Sequence, residues 1–132
     1  MLERAKELRA LGEATRRKDS DASRTNYEEA VRLLRGCDNP QLLAHTIRHL
    51  GDVYFENGDL ELSGPCFTEA LSIYRSVNTP RLDLANAIRS QALYKTHIGH
   101  VEEARLLWAE ARDLYDLEGI EAGVIECAKR AL

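Results

Sequence analysis

A repeat constrains this chain more than any other feature. Residues 47–70, IRHLGDVYFENGDLELSGPCFTEA, contain Leu50-Gly51, Tyr54, Gly58, Ser63, Phe67 and Ala70. The same spacing returns 41 positions later as Gln91-Ala92, Gly99, Ala104, Trp108 and Ala111. An earlier copy holds Leu11-Gly12, Ser23, Tyr27 and Ala30, displaced by 39 positions at the glycine and 40 at the rest. A period of this size predicts stacked two-helix units, since each unit buries its apolar face only against its neighbours. Small residues at Gly12, Gly51, Ala92, Ala30, Ala70 and Ala111 let helices approach closely. Tyr27, Phe67 and Trp108 then fill the space between units, each ring contributing about 2–3 kcal/mol on burial. Trp108 is therefore read as core and not as a binding aromatic.

Local signals divide the chain into seven helices. They cover about 2–17, 21–36, 40–57, 60–77, 80–98, 101–117 and 120–132. Gly36 is expected to end the second. Asn39-Pro40 supplies an N-cap followed by proline at the first helical position, and Thr79-Pro80 repeats the pattern 40 residues on. Pro65 inside the fourth helix should kink it or delay its start. Leu8, Leu11, Gly12 and Thr15 are assigned to the inner face of the first helix. Val101, Ala104, Leu107, Trp108, Ala111 and Leu114 are assigned to that of the sixth. Ile120, Val124, Ile125, Ala128 and Leu132 are placed on the apolar face of the last.

These residues resemble the tetratricopeptide repeat (TPR) family. Its first helix carries Leu-Gly-x-x-Tyr; its second carries a small residue, an aromatic four positions on and alanine three further. Ser23-Tyr27-Ala30, Ser63-Phe67-Ala70 and Ala104-Trp108-Ala111 reproduce the second part in all three copies. The first part is complete only in the middle copy, because Thr15 and Lys95 stand where Tyr54 sits. The period exceeds the family's usual length of about 34 residues, which implies an extra turn per helix. The resemblance implies an all-α fold: a right-handed superhelix of antiparallel helix pairs, a TPR-like α-solenoid. One domain would cover 1–132, with repeats at about 2–37, 40–78 and 80–118 and a capping helix at 120–132. It also implies a binding scaffold without catalysis, whose first-type helices line a concave ligand face.

Composition narrows the function classes. Charged residues make up 30% of the 132 residues and the hydrophobic class 44%, which fits one globular domain and not a disordered chain. Apolar runs are too short to span a membrane. The opening MLERAKELRA lacks the apolar stretch of a secretory signal. Cys37, Cys66 and Cys127 form an odd, widely spaced set, expected to be reduced thiols in the cytoplasm. Cys66 is expected to be buried and unreactive. A net charge of −4 argues against nucleic acid as a partner. No G-x-G-x-x-G, P-loop or nucleophile elbow occurs, so neither cofactor nor enzymatic activity is expected.

The candidate site follows from helical geometry. At 100° per residue, Ile47, Leu50, Gly51 and Tyr54 cluster on one side of the third helix. His45, Arg48, His49, Asp52 and Glu56 point away, with Phe55 at the edge. The corresponding face of the fifth helix holds Asn86, Arg89, Ser90, Leu93 and His97. That of the first holds Lys6, Arg9, Glu13, Arg16 and Arg17. Arg9, Arg48 and Arg89 share one register, and stacked helices would turn them into an arginine ladder. Guanidinium forks pair with carboxylates through two bonds, so an acidic or C-terminal peptide is the expected partner. Phe55 or Leu93 would be its apolar anchor. The candidate contacts are Arg9, Glu13, His45, Arg48, His49, Asp52, Phe55, Asn86, Arg89 and Leu93.

Other readings stand beside this one. Arg9–Glu13 and Arg48–Asp52 are spaced as i,i+4 pairs on a solvated face, each contributing only tenths of a kcal/mol. The Lys/Asn/Arg clamp with which some members of the family hold chaperone tails is not reproduced. Glu13 and His49 fall at its asparagines, Asn86 and Ser90 at its remaining basic positions, and Glu13 would repel a carboxylate. His45 and His49 have zinc-ligand spacing, with Asp52 or Glu56 as a third ligand. The glutamate of a HExxH protease is absent. Long-period arrays also resemble the sensor domains of some bacterial regulators and peptide-signal receptors, and such a regulatory module would act through another protein. Terminal helices could instead pair two copies into a homodimer.

Overall fold

The computed structural model describes residues 1–132, and these form seven α-helices with no strand. They are α1 (Leu2–Thr15), α2 (Ser20–Leu34), α3 (Pro40–Glu56), α4 (Leu60–Ser76), α5 (Arg81–His97), α6 (Val101–Leu117) and α7 (Glu121–Arg130). Each helix packs on the next in the chain, and α3 also meets α5. Three antiparallel pairs, α1/α2, α3/α4 and α5/α6, therefore stack in order, and α7 closes against α6.

The period of 41 is assembled from simple parts. Helices α3 to α6 each have 17 residues, three or four turns longer than a single-turn nucleus needs and about 25 Å long. Three-residue turns follow α3 and α5, and both turn on glycine: Gly58 and Gly99 have φ of 79° and 84°. The amides of Asp59 and His100 bond back to Tyr54 and Lys95 carbonyls at 2.8 and 2.9 Å, closing a Schellman motif at each end. Gly119, with φ of 72°, does the same after α6 through Ile120 N–H and the Tyr115 carbonyl, 2.9 Å apart. Gly36 does not adopt this conformation, and α2 ends two residues before it, at Leu34.

The two proline signals are not equivalent. Asn39 caps α3, its side chain accepting from Leu42 N–H, with Pro40 at the first helical position. Pro80 instead occupies the cap position of α5, which begins at Arg81. Core packing imposes 41 residues between repeats, whereas the prolines are 40 apart, so the register of the core displaces the second proline by one. Thr79 then serves the preceding helix, its hydroxyl donating to the Tyr74 carbonyl at 2.7 Å. Pro65 does not delay α4, which starts at Leu60 behind the Asp59 cap.

The core follows the repeated residues. Tyr27, Val31, Ile47, Leu50, Val53, Tyr54 and Ala70 form one cluster between the first two repeats. A second cluster runs from Ala44 through Tyr74, Ile88 and Trp108 to Tyr115 and Cys127, joining the later repeats to α7. Leu11 and Val101, assigned inward from the sequence, face solvent; Leu8 and Gly12 are buried as assigned, and Ala5 joins them on the first helix's inner side. On α7 the buried residue is Cys127, packed with Val124 and Ala131, while Ile120, Ile125 and Leu132 are exposed.

Gly51 shows why the small residues are needed. A Cβ there would lie 2.8 Å from Phe67 Cε1 and 3.0 Å from Cys66 Cβ. Gly51→Ala would gain about 1 kcal/mol of helix propensity but overpack a ring, which typically costs about 1–3 kcal/mol. We expect a net loss of about 1 kcal/mol in urea denaturation, reversed when Phe67 is shortened to leucine in the same chain.

Candidate binding groove

Helices α1, α3 and α5 present one continuous surface, and the groove lies along it. Two adjoining depressions share Arg16 and Glu56. One, of about 500 Å³, is lined by Glu13, Ala14, Arg16, Arg17, Lys18 and Glu56. The other, of about 280 Å³, lies among Arg16, Arg48, Asp52, Phe55, Glu56, Asn86, Arg89, Ser90 and Leu93. Arg48, Asp52, Phe55, Asn86, Arg89 and Leu93 are thus brought together. Arg9, His45 and His49 stand half-buried on the neighbouring stretch of α1 and α3, and Glu13 is exposed in the first depression. Phe55 meets His97 edge-on at a centroid distance of 5.4 Å and Phe67 in a tilted contact at 6.2 Å, so part of its ring belongs to the wall.

The three arginines of the ladder have different surroundings. Arg89 is held by Glu126 of α7, with Nε–Oε1 at 2.7 Å and Nη2–Oε2 at 3.0 Å. Arg48 reaches Asp52 only at 3.9 Å, and its side chain is 11% exposed. Arg9 forms no ion pair, so the i,i+4 pairing with Glu13 suggested by spacing is not made, whereas the Arg48–Asp52 pairing is. Arg16 supplies a cross-repeat contact that the sequence did not reveal: its guanidinium bonds Glu56 and lies 3.9 Å from Asp52. Asp52 also accepts from the Ser90 hydroxyl of α5 at 3.5 Å. Burial pushes the Asp52 carboxyl up, and Arg48 and Arg16 oppose that shift.

The histidines form an inner polar seam. His45 Nε2 and His49 Nε2 are 3.2 Å apart, and the Tyr74 hydroxyl lies 3.4 Å from His45 Nδ1. The His49 ring stacks on Tyr27 with an interplanar angle of 9°. Burial, with Arg48 next, depresses both imidazoles, His49 to about 3. Such a seam is poorly suited to a cation, because Arg9, Arg16 and Arg48 all act on it. Asp52 and Glu56, the proposed third ligands, are turned to arginines. The Tyr74–His45 contact has a counterpart 41 residues on, where the Tyr115 hydroxyl donates to Asn86 Oδ1 at 2.6 Å.

The outer helices carry further contacts at the repeat period. Arg35 and Arg75 make two-bond pairs with Glu69 and Glu110, at 2.7 and 2.9 Å and at 2.8 and 2.8 Å. Arginines 40 apart matched to glutamates 41 apart were the available signal for these. Cys66 is half-buried and not fully enclosed as expected; burial pushes its thiol up to about 12, far from a reactive thiolate.

Residues 42–116 match the model of the tetratricopeptide repeat family, more than half of the chain. The chain is a tetratricopeptide repeat protein. No curated protein matches it. Among solved structures it is similar to the Rap conjugation gene regulator of the plasmid pLS20, solved in complex with the Phr* peptide. That match has 17% identity and a TM-score of 0.75, covering 92% of this chain and 34% of the regulator. The chain thus spans about a third of that regulator's length. The MamA protein is a more distant likeness, with 15% identity and a TM-score of 0.44 over 100% of this chain and 92% of that one. This TPR protein has no helix long and apolar enough to cross a membrane.

Proposed function

We propose that the concave groove of this TPR protein holds an extended protein or peptide segment with acidic character, and that the protein is a non-catalytic scaffold of the cytoplasm. The observation that carries this reading is the open surface where α1, α3 and α5 meet, with Arg16, Arg48 and Arg89 beside Phe55 and Leu93. It is supported by the family's stacked-pair architecture and by a structural relative that was solved with a peptide. Exposed ion pairs contribute only about 0–1 kcal/mol each, so Phe55 and Leu93 supply the apolar part of the affinity. The test is titration of peptides that vary in charge and C-terminal chemistry into wild type and Arg9→Ala/Arg48→Ala/Arg89→Ala. Acidic peptides should bind, weaken with added salt and lose binding in the triple variant. Equal binding by the variant, or no binding in the acidic set, would overturn the reading.

A second reading, self-association through the C-terminal end, has its own observation. Leu106 and Leu117 are 74% and 65% exposed, and the residues 41 positions earlier are Pro65 and Ser76. Only the last repeat therefore shows large apolar side chains there. Sedimentation of wild type against Leu106→Glu/Leu117→Glu tests it: a dimer lost in the variant supports pairing, and a wild-type monomer at high concentration rejects it.

A further inference from the structure

Helices α3, α5 and α7 share one register. They begin at Pro40, Arg81 and Glu121, and their seventh residues are Thr46, Ala87 and Cys127, all buried. Their tenth residues agree where an aromatic precedes them: His49 stacks on Tyr27 of α2, and Arg130 lies over Trp108 of α6. Helix α7 thus meets the helix before it as α3 does. The fifth residues break the rule. Ala44 and Ala85 are 0% exposed, inside the core cluster that α4 and α6 share, whereas Ile125 is 48% exposed. Alanine admits a second helix at close range. Isoleucine holds one off, since the distance between packed helices follows the side chains at the contact. The outer face of α7 is therefore not shaped for another tight pair of the same kind.

That face complements its own reverse. At 100° per residue, Glu121, Ala122, Ile125 and Lys129 fall on one side of α7, opposite Cys127, and all four are exposed. Ala122, Ile125 and Lys129 line a depression of about 570 Å³ together with Glu126 and Arg130. Glu126 and Arg130 are already paired, with Arg89 and with each other. These are the ion pairs of α7, and Glu121 and Lys129 enter none. The two free charges stand four residues on either side of Ile125, acid before it and base after it. Turned end for end, a second α7 sets its base against the acid, its acid against the base and its isoleucine against Ile125.

We propose that α7 is a self-recognition surface, through which two copies of this chain pair antiparallel on a two-fold axis at Ile125. The proposal rests on the self-association reading and names the helix, the direction and the charges involved. A second copy suits the face because its free acid and base are equal in number and symmetrically placed. A strongly acidic or strongly basic partner would find only one complementary charge. A contact on one ten-residue helix is small, so the association is weak and weakens further with salt.

Sedimentation equilibrium of the whole chain in low salt tests this, up to about 1 mM, where a weak contact of this kind registers. Wild type should dimerise. Ile125→Ala keeps α7 helical, since alanine is the better helix former. It should weaken the dimer by about tenfold or more, because both copies lose the contact. Glu121→Lys and Lys129→Glu should each be monomeric alone, with like charges facing each other. Mixed in equal amounts they should form a heterodimer, because each then meets the opposite charge on the other. Amide NMR signals of α7 check that both reversals keep the helix; should either unfold it, Ile125→Ala alone decides. Folded reversals that do not pair when mixed would overturn the proposal. So would a dimer unchanged by Ile125→Ala, and the self-association reading would then stand or fall with Leu106→Glu/Leu117→Glu. A wild-type monomer throughout would overturn both.

Discussion

Trp108→Ala is expected to remove about 3–5 kcal/mol of stability, the range for a large aromatic deleted from a packed core. Trp108 is 1% exposed and belongs to the larger core cluster with Ile88, Ala111 and Tyr115. Its indole Nε1 donates to Thr96 Oγ1 at 3.1 Å, and the Arg130 guanidinium lies 5.0 Å over the ring. One substitution therefore opens a cavity, removes the donor from Thr96 Oγ1 and takes away the ring under Arg130 of α7. Urea denaturation gives the magnitude, and the loss should appear without any peptide present. A stability within 1 kcal/mol of wild type would mean that the third repeat does not depend on its aromatic.

The second large effect is on pH. Burial holds His49 at about 3, against an ordinary 6.5. The sign follows from where the proton goes. Between those values the unfolded chain protonates this imidazole and the folded chain does not, so acid favours unfolding. Stability contributed by neutral His49 is complete above pH 6.5 and declines as pH falls towards 3. The slope for one proton is at most about 1.4 kcal/mol per pH unit. Between pH 6.5 and 5 the loss is then about 2 kcal/mol, with His45 acting in the same direction. Denaturant midpoints at pH 7, 6 and 5 check this. His49→Gln, which cannot titrate, should flatten the curve; an unchanged curve would place the proton uptake elsewhere.

Much of this fold was legible because its determinants are local and recur. Gly58 and Gly99 are 41 apart, as are Phe67 and Trp108, and each marks the same place in its unit. Where two recurring signals disagreed by one residue, at Thr79-Pro80, the core register prevailed because slipping it would have turned Ile88 and Ala92 out of the interior. The surface was harder to read. Helical register correctly gathered Arg48, Asp52, Phe55, Asn86, Arg89 and Leu93 around one depression. It could not reveal that Arg89 is already paired, because Glu126 lies two helices on and its approach depends on how α7 packs. Likewise, Arg16 and Glu56 meet only once α1 stands beside α3. Register within a helix tells which side chains share a face, and the partners across helices come from the stacking geometry.

Asp52 gives that stacking a thermodynamic consequence. Its carboxylate reaches Arg16 of α1, Arg48 of its own helix and Ser90 of α5. In a linear array, units ordinarily sense only their immediate neighbours, and the ends can fray while the middle persists. Here a single side chain touches all three units, and losing either end unit removes a partner from the middle one. The molecule should accordingly melt as one body, with the first and third units reporting the same midpoint.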